Sequence, residues 1–142
     1  MTMTRPTRLI LAAAAAVTAA AGGWAAQTPK SLAGVAGGMW ELSGIPGTRV
    51  PTKVCVAAPI ELAFVEHAGA GCKHLVLGDS GDLLRISYRC SGAGFGQASI
   101  KTITPRSLRV DVQGIAANAP YAYVMQAHRT GDCTTGPRPP RH

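Results

Sequence analysis

Acidic residues are scarce in this chain. Seven Asp and Glu stand against fourteen Lys and Arg in 142 residues, for a net charge of +7. So few carboxylates give little support to paired acid and base catalysts. The cations do not cluster into a basic run. Nucleic-acid binders concentrate their charge in a stripe or a helix, so no nucleic-acid partner is expected. No apolar run reaches the ~20 residues that a membrane span requires. The candidate, Leu9 to Ala21, is shorter, so no transmembrane anchor is expected once it is removed. Metal-ligand spacing is missing too. Zinc sites usually carry a tight Cys-x-x-Cys or His-x-x-x-His pair, and neither occurs. Cys72-x-His74 with His67 nearby is the nearest approach, and an oxidised Cys72 cannot ligate. Covalent haem would need Cys-x-x-Cys-His, which is absent. Gly78-Asp79-Ser80-Gly81 is not the Gly-x-Ser-x-Gly elbow. A Ser–His–Asp set drawn from Ser80, His74 or His128 and Asp79 is one that any chain of this size offers. Gly92-x-Gly94-x-Gly96 lacks the helix that a phosphate loop requires after it, and reads as a turn or bulge. These absences predict no cofactor, no metal and no catalytic residue, and weigh against an enzyme.

What is present begins with an address. Arg5 and Arg8 precede the apolar run, and Gly22 and Gly23 follow it. A positive start, an apolar middle and a small-residue end make a secretory signal peptide, assigned to residues 1–25. Cleavage after Ala25 or after Ala21 suits the small-x-small rule. The protein is therefore expected to be periplasmic or secreted. All four cysteines, Cys55, Cys72, Cys90 and Cys133, lie in the exported part. An even count in a small exported domain reads as disulfides. The stretch Gly71–Cys90 has a cysteine near one end and another at the other. Between them, two apolar runs flank Gly78-Asp79-Ser80-Gly81-Asp82, a turn signal. A three-residue turn centred on Gly81 sets Cys72 opposite Cys90, within bridging distance. Cys55–Cys133 is the pair that remains.

Residues 26–37 show little periodicity and read as a flexible leader. Trp40 and Leu42 sit two apart, as strand residues on one face do. Arg49 to Ala57 alternates as a second strand, with Pro51 placing its start at an edge or bulge. Pro59 to His67 is the one helix candidate, with Ile60, Phe64 and His67 on its apolar side. After the Cys72–Cys90 hairpin, Gln97–Thr104, Leu108–Gln113 and Tyr121–Thr130 read as strands. Their inward residues are Ala98, Ile100 and Thr102, then Leu108, Val110 and Val112, then Tyr121, Tyr123 and Met125. Gly114 to Pro120 reads as a loop. The tail, 134–142, is basic and Pro-rich and reads as disordered. Helices do not alternate with strands, so the prediction is a mainly β fold. It is a small antiparallel meander forming a barrel or a two-layer sandwich, with one short helix and two disulfides.

One resemblance follows from these residues. Gly38-x-Trp40-Glu41, Val54-Cys55, Cys72, Tyr88-Arg89-Cys90 and Arg129-x-Gly131-Asp132-Cys133 occur in an order that resembles the DUF3617 family, exported and mostly proteobacterial proteins of unknown function. The resemblance covers roughly 38–133. It departs between Trp40 and Cys55, where the family often carries a Met- and Pro-rich segment and this chain has Ile45 to Pro51. It implies export, structural cysteines and the domain limits 38–133, and brings no site residues.

The functional expectation is a non-enzymatic periplasmic β-domain that binds an apolar small molecule or an envelope protein. The alternative is a hydrolase or redox enzyme with a non-obvious site. Trp40, Tyr88 and Tyr123 are the binding candidates, as amphipathic rings on inward faces. A pocket lined by them would favour a small ligand. A filled core beneath an exposed apolar sheet face would favour a protein partner.

Overall fold

The computed structural model describes residues 27–92 and 94–134. The segment read from the sequence as a signal peptide, 1–25, and the tail from 135 onward lie outside the described residues. Every predicted strand exists. They are β1 (Gly38–Ser43), β2 (Thr52–Val56), β3 (Cys72–Ser80), β4 (Leu83–Cys90), β5 (Gly94–Thr104), β6 (Ser107–Ala116) and β7 (Ala119–Gly131). All neighbours are antiparallel, in one sheet of order β2-β1-β7-β6-β5-β4-β3. Strands β3 to β7 are a plain meander. β1 then pairs with β7, and β2 with β1. The sheet does not close: β2 and β3 are its two edges. Cys72 is bonded to Cys90 and Cys55 to Cys133, with Cα separations of 4.0 and 5.6 Å.

Alternation sorts each strand into two faces. One face buries Trp40, Leu42, Leu84, Ile86, Ile100, Leu108, Val110 and Met125 completely. The layer over it is not a second sheet. It is made by a 3-10 turn, Lys30–Leu32, and a 3-10 helix, Pro59–His67, which bury Leu32 and Leu62.

The covering layer corrects two expectations. Residues 30–37 are no loose leader. Leu32 and Val35 are in the core, and the Asp79 carboxylate accepts the backbone N–H groups of Lys30 and Ser31 at 2.7 and 2.9 Å. Weak periodicity hid two apolar anchors and a cap 48 residues away. The helix is of the 3-10 type and breaks at Phe64 (φ −110°, ψ 15°). Its buried residues are Pro59, Leu62, Ala63 and His67, while Ile60 and Phe64 are half-buried. A 3.6-residue period misplaces the stripe of a helix with three residues per turn.

The central hairpin reaches its predicted end by another route. β3 runs on through Gly78, Asp79 and Ser80, and the turn is the two residues Gly81 and Asp82, with Gly81 at φ 60°. That turn alone would put Cys72 one residue out of register with Cys90. A bulge at Leu77, between Val76 and Gly78, restores it, so that Cys72 pairs with Cys90. Residues 114–120 are not a loop either. Ala117 and Asn118, at φ 48° and 62°, form a two-residue turn between Ala116 and Ala119. Both positive φ values are those of the type I′ hairpin turn. Only Asn118 signals it in the sequence, because Ala is uncommon there. β2 begins at Thr52 rather than Arg49, just after Pro51.

Candidate functional site

Two arrangements gather chemistry-bearing side chains, one on each face of β3 to β7. On the inner face, one row of the sheet runs His74, Tyr88, Gly96, Gly114, Tyr121 from β3 to β7. The two glycines leave the middle of the row without side chains. Tyr88 and Tyr121 extend over that gap and share a hydrogen bond between their hydroxyls. A Cβ at Gly96 would lie 2.5 Å from the Tyr88 hydroxyl oxygen, and one at Gly114 would lie 2.9 Å from that of Tyr121. His67, from the 3-10 helix, closes the group with Nε2 3.3 Å from the Tyr121 hydroxyl. Its ring stands edge-on to both tyrosines. Its Nδ1 is buried without a partner. Next to this trio, Tyr123 donates to Glu66 Oε1 at 2.5 Å.

Burial pushes the Tyr88 hydroxyl above the ordinary tyrosine range, and the bond it donates to Tyr121 pushes it further. Burial raises Tyr121 as well. Tyr123 is raised by burial and then by its bond to Glu66. All three phenols therefore stay protonated at neutral pH. They serve as hydrogen-bonding groups, since tyrosinate, the form that attacks or abstracts a proton, is disfavoured. The trio ties the 3-10 helix to β4 and β7.

Trp40 is not part of this group. It is completely buried, its indole N–H has no partner, and it pairs with Val54 and Arg129 towards the far end of β7 from Tyr121. The structure thus brings Tyr88 and Tyr123 together through Tyr121, and leaves Trp40 in the core. Among the described residues, no group of three or more His, Cys, Asp or Glu could hold a metal ion. None of the four cysteines is free. No helix among them is long and apolar enough to cross a membrane.

The outer face is different in character. A groove of about 800 Å³ is lined by Lys73, Leu75, Ser87, Arg89, Phe95, Gln97, Gln113, Ile115 and Ala122, and also by the row His74, Tyr88, Gly96, Gly114 and Tyr121. A second, of about 490 Å³, adjoins it at Gln97, Gln113 and Ala122, and reaches Leu77, Arg85, Asp111 and Val124. Leu75 is 66% exposed and Phe95 52%, with Leu77 and Val124 also exposed. The Arg89 guanidinium sits over the Phe95 ring, 5.9 Å from its centroid. Asp111, the acid in the second groove, is held by Arg109 at 3.2 Å. Sequence reasoning overlooked this face. Its signal was the unbroken apolar run Leu75-Val76-Leu77 in a strand that should alternate.

Fold and faces together define a small β-meander module, stapled by two disulfides, with a filled core and an apolar, basic outer face. No family model, no curated protein and no solved structure matches the chain.

Proposed function

We propose that this chain is a non-enzymatic, exported binding module, similar to the DUF3617 proteins, that docks an envelope protein through the outer face of β3 to β7. One observation carries the reading. The core beneath the sheet is filled, with Trp40 at 0% exposure, while Leu75, Leu77, Phe95 and Val124 stand exposed around adjoining grooves on the other side. An apolar patch of this kind on a folded domain marks an interaction site. The protonated tyrosines and paired cysteines supply neither a nucleophile nor a base. The two disulfides suit an oxidising compartment outside the cytoplasm. Because the grooves are open and basic, the partner is expected to bring apolar side chains and carboxylates together.

Site-specific photocrosslinking in the native host tests this. A photoreactive residue at Leu75 should give one discrete protein adduct, and Phe95→Asp should abolish it. The same residue at Val50, 73% exposed but outside both grooves, should give none. Equal labelling from Leu75 and Val50 would refute the reading. So would a small molecule that copurifies with the protein and is lost in Phe95→Asp, since that is the behaviour of a ligand carrier.

A further inference from the structure

The two edges of the sheet are built differently. β2 is five residues long and follows Pro51, and Cys55 within it is bonded to Cys133. Short length, proline, lysine and bulges are devices that keep an edge strand from pairing. β3 carries Lys73 at one end of its exposed run and the bulge at Leu77 at the other, and has neither of the first two. It is nine residues long, contains no proline, and is paired on one side only. Lys73, His74, Leu75, Val76 and Leu77 are exposed without interruption. Three consecutive apolar residues on an open edge present side chains to both faces of any strand laid beside them. The charges in the two grooves that lack an ion-pair partner are positive, since Asp111 is held by Arg109. Lys73 and Arg89 line the larger groove and Arg85 the second, and none of the three is ion-paired with a described residue.

We propose that β3 is a strand-addition site: an extended segment of the partner, alternating apolar and acidic residues, pairs with the main chain of Lys73–Leu77. Its carboxylates face Lys73, Arg85 and Arg89 on the outer side of the sheet, and its apolar side chains, on the opposite face of the added strand, lie beside Val76 on the inner side. Main-chain pairing supplies affinity in this mode, and the side-chain contacts supply selectivity. A second copy of this chain fits less well, because it would bring the same cations to the same face. A lipid surface would use the cations and the leucines but not the unpaired edge. The inference rests on the binding-module reading and adds to it the chemistry and the geometry of the partner.

The test uses a fluorescent Val-Asp repeat decapeptide and the purified protein, followed by anisotropy. Saturable binding is expected. It should weaken by roughly tenfold for the Val-Lys repeat, and likewise when Lys73, Arg85 and Arg89 are changed to Glu together. A Val-Asp peptide N-methylated at alternate amides should not bind, and neither should Val76→Lys protein whose melting temperature is unchanged. Ile103→Asp, an exposed apolar site outside both grooves, should leave binding as it was. Equal binding of the N-methylated and parent peptides would overturn strand addition. Binding to phosphatidylglycerol vesicles without peptide binding would overturn it in favour of a lipid surface. A dimer that Val76→Lys disrupts, again without peptide binding, would overturn it in favour of self-association. If the peptide fails while the Leu75 crosslink persists, strand addition falls and the module reading stands. If both fail, both fall.

Discussion

Gly96 and Gly114 carry the tyrosine group without contributing an atom to its hydrogen bonds. Neither has a positive φ, so the requirement is for space and not for an unusual backbone. A Cβ at Gly96 would meet the Gln113 carbonyl oxygen and the Tyr88 hydroxyl, both at 2.5 Å. The carbonyl belongs to the neighbouring strand and cannot move alone. Gly96→Ala should therefore destabilise by about 2 kcal/mol, in the range of overpacked cores. Gly34→Ala, where nothing lies within 4 Å, should be close to neutral. Urea unfolding of the two variants checks this, and equal midpoints would show that the tyrosines yield without cost. The inward direction of Tyr88, Tyr121 and Tyr123 was legible, because strand alternation fixes it. The glycines were not. Gly92-x-Gly94-x-Gly96 has the composition of a turn, and only Gly92 serves as one. What Gly96 does depends on residues of other strands, and no local pattern records that.

At the scale of elements, the hairpin β3–β4 shows how a correct end can come from a different middle. The cysteine register was legible from the spacing, while the two-residue turn and the Leu77 bulge that together produce it were not. Gly78, Asp79 and Ser80 have turn propensities, and tertiary contacts hold them in the strand. Asp79 is the residue that gains. Its carboxylate, on the inner side of β3, accepts the Lys30 and Ser31 N–H groups and fixes the 3-10 turn that delivers Leu32 to the core. Thr102 adds a second tie, donating its hydroxyl to the Ser31 carbonyl at 2.8 Å. Replacing a helix cap by alanine typically costs about 1 kcal/mol. Asp79→Ala should cost that much, and its effect should be local. Limited trypsin digestion should release the segment up to Lys30 faster in the variant, while hydrogen exchange in β5 and β6 stays unchanged. Uniformly faster exchange across the sheet would mean that the 3-10 turn is integral to the whole fold.

For the whole molecule, the two disulfides act at different ranges. Cys72–Cys90 closes 18 residues of one hairpin, and Cys55–Cys133 closes 78, joining the β2 edge to the end of β7 across β1. An open sheet has no closing strand pair, and the long clip pins its β2 edge to β7. Chain entropy scales with the logarithm of loop length. The short bridge should stabilise by about 3 kcal/mol, and the long one by ~1 kcal/mol more. The double variant Cys55→Ser/Cys133→Ser should accordingly have the lower urea midpoint of the two double variants. Binding should rank them the other way. Cys72 starts β3, next to Lys73, so Cys72→Ser/Cys90→Ser frees the end of the proposed docking strand while costing less stability. Its affinity for the Val-Asp peptide should fall at a temperature where both variants are folded, and that of Cys55→Ser/Cys133→Ser should hold. If affinity followed stability across the two variants, the peptide would be reading the intact fold as a whole, and the β3 edge would have no separate part in recognition.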